Sequence, residues 1–298
     1  MSLQAPAQDS DVAGLTSALG IPGLADIHVH FLPERMLAKV WDYFDRAEEH
    51  YGTAWPVRYK WDQDQRLDHL RSIGLKRIPA LTYPHKAAMA GWLNEWNAAF
   101  AQAQPDVIHC GTFFPEPEAG AYVGHALDRG AQLFKAHVQV GGYAPTDILL
   151  DPVWAQLQEA QTPVVIHAGS APRPGRYTGV QLVREVLDRY PRLTLVIAHM
   201  GMPEYHEFAD LAETFENVYL DTTMNFTGFT EAVAPAPQDY LVRLAGLREK
   251  IILGSDFPNI PYLYAEQLRA LVDLELGEDW LRSVLWYNGT RLLGRIYQ

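Results

Sequence analysis

One cysteine, Cys110, is the only thiol among 298 residues. No intramolecular disulfide can form, and a reducing compartment, the cytoplasm, is the expected location. No apolar run approaches the ~18 residues that span a bilayer, so no membrane partner is expected. The opening residues, MSLQAPAQDSDVAG, have neither a basic start nor an apolar signal core. Residues 1–20 read as a loose N-terminal lead. Basic residues are also in short supply. The chain has 24 Lys and Arg against 36 Asp and Glu, a formal net charge of −12, which argues against a nucleic-acid partner. Neither GxGxxG nor GxxxxGK[ST] occurs, so no glycine-rich phosphate turn is expected. No linker-like stretch divides the chain, and 1–298 reads as a single domain.

The rest is rich in core material, with 48% hydrophobic residues. Its organising stretch is 24–33, LADIHVHFLP, an apolar segment that reads as a strand. An insertion follows, with a helix over 35–49, an aromatic, turn-rich piece over 51–61 and a second helix over 63–73. Trp55, Tyr59 and Trp61 there suit a cover for a flat substrate, or an aromatic surface layer or subunit contact. From 77 onward, short apolar segments alternate with helical ones. Strands are expected over 77–83, 107–114, 133–140, 163–168, 193–199, 218–221 and 251–256. Several, such as PVVIHA and IILGSD, are continuous apolar runs, as in parallel strands buried on both faces. With the first, they make eight strands, nearly all followed by a helix. The expected fold is α/β, a (β/α)8 TIM barrel with a helical, aromatic insertion after the first strand. An open doubly wound sheet is the runner-up, and it lacks its phosphate turn.

Polar residues gather where these strands end. His28 and His30 lie two apart on the first, so both imidazoles face one way. Lys135 and His137 lie in the fourth, His167 ends the fifth, His199 the sixth and Asp256 the eighth. In a barrel these ends share one rim. Histidine and carboxylate converging there suit a divalent metal, zinc first, with manganese, cobalt or iron able to use the same donors. Arg173 and Arg176, in the loop after the fifth strand, either hold a substrate carboxylate or are solvated loop arginines. Asn259, Thr222 and Thr223 are further rim candidates. His137 either lines the pocket or sits in the core as a hydrogen-bonded histidine.

The segments DIHVHFLP, VVIHAGS, LVIAHMG, LGSDFP and NGTRLLG together resemble the amidohydrolase superfamily. The similar branch includes aminocarboxymuconate semialdehyde decarboxylase and related metal-dependent hydrolases. The resemblance implies that His28, His30, His167 and Asp256 ligate one divalent metal. It also implies that His199 is an acid/base beside it, with Asp256 doubling as a proton acceptor. In binuclear relatives the His199 position binds a second metal, and a carboxylated lysine at the Lys135 position bridges the pair. In the mononuclear branch Lys135 is left to hold a substrate carboxylate.

Two activities use this same set. The first is hydrolysis, in which metal-bound water attacks an ester, lactone or amide carbonyl of a small carboxylate-bearing substrate. The second is non-oxidative decarboxylation of an unsaturated or aromatic acid. A third reading, from a different class, is a metal-stabilised barrel that binds a ligand without turning it over. Lys135, His137, Arg173, Arg176 and Asn259 are the substrate-binding candidates, and a homo-oligomer is an expected partner state.

Overall fold

The computed structural model describes residues 3–294. The outermost residues of the single-domain reading, 1–2 and 295–298, lie outside the described residues. The chain packs as two compact units, Met1–Ile78 with Thr222–Gln298, and Pro79–Asp221.

In the first unit the lead is ordered rather than loose. Asp9–Asp11 forms a 3-10 turn, and Val12–Leu19 is an α-helix that buries Val12, Leu15, Thr16 and Leu19. Gly20 ends it at φ 66, a left-handed conformation that glycine takes without steric penalty. Val12, Leu15 and Leu19 have helical spacing, but the helix is only eight residues long, contains Gly14 and has no side-chain cap. Asp9 ties it down, accepting from the Tyr59 hydroxyl (2.5 Å) and the Ala265 N–H (2.8 Å), with His69 Nε2 3.1 Å away. Burial pushes the Asp9 carboxyl up, but the bonds from His69, Tyr59 and Ala265 outweigh it and hold its pKa below the ordinary value. A carboxylate depressed in the fold stabilises it above the unfolded pKa, and that stability is lost as pH falls through the folded value. Asp9→Asn is therefore expected to cost about 1–3 kcal/mol near neutral pH. In thermal melts taken from neutral to acid, the gap from wild type should close below the ordinary carboxylate pKa of about 3.9. An unchanged gap across that range would sink the assignment.

The insertion contains two helices where one is expected. Glu34–Asp45 and Ala47–Tyr51 are separated at Arg46, whose φ −104 and ψ 19 leave the helical region. Gln63–Ser72 follows, and the Asp62 side chain caps it by accepting from the Gln65 N–H at 2.8 Å. Its Arg66 is buried, with the guanidinium over the rings of Phe31 (4.9 Å) and Trp41 (5.7 Å). Tyr59 is also buried, its ring 4.7 Å from that of Phe257. It belongs to the core beneath the insertion, and only Trp61 of the expected aromatic cover is substantially exposed.

The first strand is extended but irregular. It makes isolated parallel bridges, Leu24 to Leu75 and Val29 to Phe257. The reason lies in Asp26, fully buried, whose Oδ1 takes the His28 N–H at 2.9 Å. That local bond removes a donor from the ladder. The other Asp26 oxygen accepts from the Tyr264 hydroxyl at 2.8 Å. The last expected strand is similarly short, Ile251–Ile252.

The second unit holds a regular parallel sheet. Strands Cys110–Thr112, Leu133–His137, Val164–His167, Leu195–Ile197 and Val218–Asp221 each pair with the next in sequence. Helices Ala119–Asp128, Asp151–Glu159, Val180–Arg189 and Tyr205–Thr214 alternate with them. Val164, Val165, Leu195, Val196 and Ile197 have no measurable exposure, as strands covered on both faces require. The strand expected over 133–140 stops at His137, which instead caps the short helix Val138–Gly141. The one expected over 193–199 stops at Ile197, where the chain turns through left-handed His199 and Met200.

Candidate metal centre

In the first unit, His28, His30 and Asp256 each offer one donor atom, all within 4.8 Å of one another. The alternation of an extended chain puts both imidazoles on one face, their rings edge to face at 5.1 Å. Asp256 Oδ1 is 2.9 Å from His30 Nε2 and 3.7 Å from His28 Nε2. His28 and His30 are buried, and the Asp256 side chain is 15% exposed. Thr223 Oγ1 lies 2.9 Å from His28 Nδ1. When that hydroxyl accepts, Nδ1 carries the hydrogen and Nε2 faces Asp256 with its lone pair, the usual way a protein orients a metal-binding imidazole.

The donor set fits a divalent metal. Tetrahedral bonds of about 2.0–2.1 Å place neighbouring donor atoms about 3.3 Å apart, and the two observed separations bracket that distance. The backbone holds the set firmly. The Asp256 N–H donates to His28 O (2.9 Å), and the His30 N–H donates to Phe257 O (2.7 Å). Asp256 itself sits at φ 69, a left-handed conformation uncommon outside glycine that gathers at functional sites.

Asn259 closes the turn behind Asp256, its N–H bonded to Asp256 O at 2.9 Å. Its side-chain oxygen accepts from Trp41 Nε1 (3.2 Å), and its carbonyl accepts from Trp55 Nε1 (2.7 Å). Asn259 is thus an anchor for two insertion tryptophans.

In the second unit, three imidazoles come together. His137 and His167 are register partners on adjacent strands, and their rings stack at 4.1 Å with planes 11° apart. His199 meets the His167 ring at 4.7 Å and 63°. His167 Nε2 is 3.1 Å from Ala171 O. Since a carbonyl only accepts, Nε2 carries the hydrogen and Nδ1 the lone pair. His199 has φ 56, and its N–H donates to Asp221 Oδ1 at 2.8 Å. Both expected proton carriers, His199 and Asp256, therefore occupy left-handed backbone. Lys135 is buried in the strand Leu133–His137, opposite Val165 in the neighbouring strand.

Arg173 and Arg176 are exposed. Arg173 receives Gln139 Nε2 on its carbonyl, and the Arg176 guanidinium lies over the Tyr177 ring at 5.2 Å. Two supporting residues escaped sequence reasoning, Asp26 and Tyr264, which fix the first strand, while Thr223, a rim candidate, orients His28. Asp26 alone had a sequence signal, an acidic residue inside an apolar strand two positions before the first histidine.

The Amidohydrolase family model matches residues 25–295. No curated protein matches the chain. Among solved structures, an uncharacterised TIM-barrel protein from Bordetella bronchiseptica is similar at 21% identity and TM-score 0.72, over 92% of this chain and 99% of that one. A probable 2-pyrone-4,6-dicarboxylic acid hydrolase from Acinetobacter baumannii, with citric acid bound, is similar at 18% identity and TM-score 0.58, over 80% and 92%. A 5-carboxyvanillate decarboxylase from Novosphingobium aromaticivorans, complexed with manganese and 4-hydroxy-3-methoxy-5-nitrobenzoic acid, is similar at 17% and 0.58, over 92% and 96%. These likenesses concern the fold, and that fold is the α/β TIM barrel expected from the strand–helix alternation.

Proposed function

This chain belongs to the amidohydrolase family, and we propose that it is a metal-dependent hydrolase of an ester, lactone or amide in a small carboxylate-bearing substrate. The observation that carries the reading is the trio of buried His28 and His30 with part-buried Asp256, with donor spacing suited to one divalent ion. Zinc is the ion proposed. His167 is proposed as the fourth ligand, through Nδ1, because it ends the strand Val164–His167 and its Nε2 is engaged with Ala171 O.

A divalent ion held there supplies a Lewis acid and lowers the pKa of water from 15.7 to about 7. The remaining work falls to the chain. Asp256 accepts a proton from the attacking water at its carboxylate. His199 delivers a proton to the leaving group, the acid/base role that a positioned imidazole fills most often. Lys135 and His137, with Arg173 and Arg176 from the loop, are proposed to hold the substrate carboxylate. Lys135 leads these because it is buried in the strand Leu133–His137, two residues before His137.

Plasma mass spectrometry on protein purified without chelators should find about one zinc per chain. Chelation should abolish turnover of a panel of lactones and pyrone carboxylates, and run in ¹⁸O-water the products should carry the label. Carbon dioxide release from aromatic acids without labelling would assign the same residues to a carboxy-lyase instead. Full turnover by chelated, metal-free protein would end both readings.

A further inference from the structure

We infer that His137 is a positioning residue that fixes the ring of His167, an inference resting on the reading that His167 is a metal ligand. In a parallel pair, register partners project from the same face, and His137 and His167 are such partners. Their rings lie face to face, 4.1 Å apart and 11° from parallel. Any partial rotation of the His167 ring about its Cβ–Cγ bond tilts it out of that stack, and the half-turn that would restore the stack carries Nε2 away from Ala171 O. The hydrogen bond from Nε2 to Ala171 O, at 3.1 Å, holds its edge. Face and edge together leave one orientation, with Nδ1 as the lone-pair nitrogen.

The His137 ring is itself held from two sides. Its Nδ1 accepts the Val140 N–H at 3.3 Å, capping the helix Val138–Gly141. A histidine bonded in this way is neutral, with its hydrogen on Nε2. The Tyr83 ring stands 5.2 Å away. Order therefore passes from the cap to His137 and from His137 to His167. This explains why the strand ends at His137 rather than running on to 140, because the turn that stops it supplies the cap.

Two substitutions separate the parts. Asn at 137 keeps a good N-cap acceptor but removes the ring. Phe keeps the ring and removes the cap. Zinc affinity is measured by competition with a chromogenic chelator, and the visible spectrum is taken on the cobalt-loaded protein. His137→Asn is expected to weaken zinc by about 10–100-fold, the usual loss when a ligand's support is removed, and to change the cobalt spectrum. His137→Phe, which keeps the stack and loses only the cap that steadies it, is expected to fall between His137→Asn and wild type in both. If His137→Asn binds zinc like wild type, or if both variants lose affinity equally, the positioning role is overturned. His167→Ala separates this claim from its premise. If it leaves zinc affinity intact, His167 is no ligand and the premise fails. If it lowers affinity while His137→Asn does not, only the positioning role fails.

Discussion

His30→Ala is expected to take bound zinc from about one ion per chain to below about 0.1, and to cut turnover by more than the ~10–100-fold that supporting residues cost. Of the two imidazoles, that of His30 lies closer to Asp256, at 2.9 Å against 3.7 Å for His28. Without it, His28 and one carboxylate remain in the first unit, and a cation loses the donor that completes its nearest pair. The loss should be local. His30 spends its backbone N–H on Phe257 O, a bond that alanine keeps, so circular dichroism should match wild type. Asp256→Asn is the contrasting case. Asn tolerates the left-handed φ 69 of this position and retains an oxygen, but it has no charge and cannot accept the proton. It should keep more metal than His30→Ala and equally little activity. A His30→Ala protein that holds a full ion and turns over normally would mean that the metal centre is elsewhere.

The parts of the site legible in the sequence were those fixed by period. Two histidines separated by Val29 must share a face in any extended chain, and His28 and His30 do. His167 and His199 each follow an apolar run, and the strands before them are buried on both sides. What escaped was set by side chains that divert the backbone. Asp26 captures the His28 N–H and so takes one donor from the ladder, and that strand is less regular than its apolar pattern suggests. His137 caps a helix and ends its strand early. The lead looks loose because its tethers are distant in sequence: the Asp9 partners Tyr59, His69 and Ala265 are 50 or more residues away, and Leu19 O accepts from Arg282 Nε. Asn259 is legible as a neighbour of Asp256, but its bonds to two tryptophans are not, since these come from the insertion, more than 200 positions earlier.

The glycines in the HAG and HMG segments carry the second large effect. Gly169, two residues after His167, packs against the backbone two residues after His199. A Cβ on Gly169 would lie 2.5 Å from Met202 O and 2.6 Å from the Gly201 carbonyl carbon. These are backbone atoms, so no side chain can swing away. The same two strand ends are laced by hydrogen bonds. The Ala171 N–H donates to Met202 O at 3.0 Å, the Ser170 N–H to Glu204 Oε2 at 3.0 Å, and the Met202 N–H to His199 O at 3.0 Å. Ala171 O is also the partner of His167 Nε2. Pushing Gly169 away from Gly201 therefore moves the carbonyl that orients one histidine and the turn that carries the other. Gly169→Ala is expected to cost about 3 kcal/mol, the upper range for overpacking a close contact. At ~2 °C per kcal/mol for a chain of this size, Tm should fall by roughly 6 °C. Turnover should fall further than stability accounts for, because the ring contact at 4.7 Å between His167 and His199 depends on that spacing. Gly130→Ala is the control. It carries φ 87 with no atom within 4 Å of an added Cβ, so it should cost about 1 kcal/mol for backbone strain alone and leave turnover of the folded protein unchanged. If the two variants melt together and turn over alike, the close approach of the two strand ends does not hold the histidines in place.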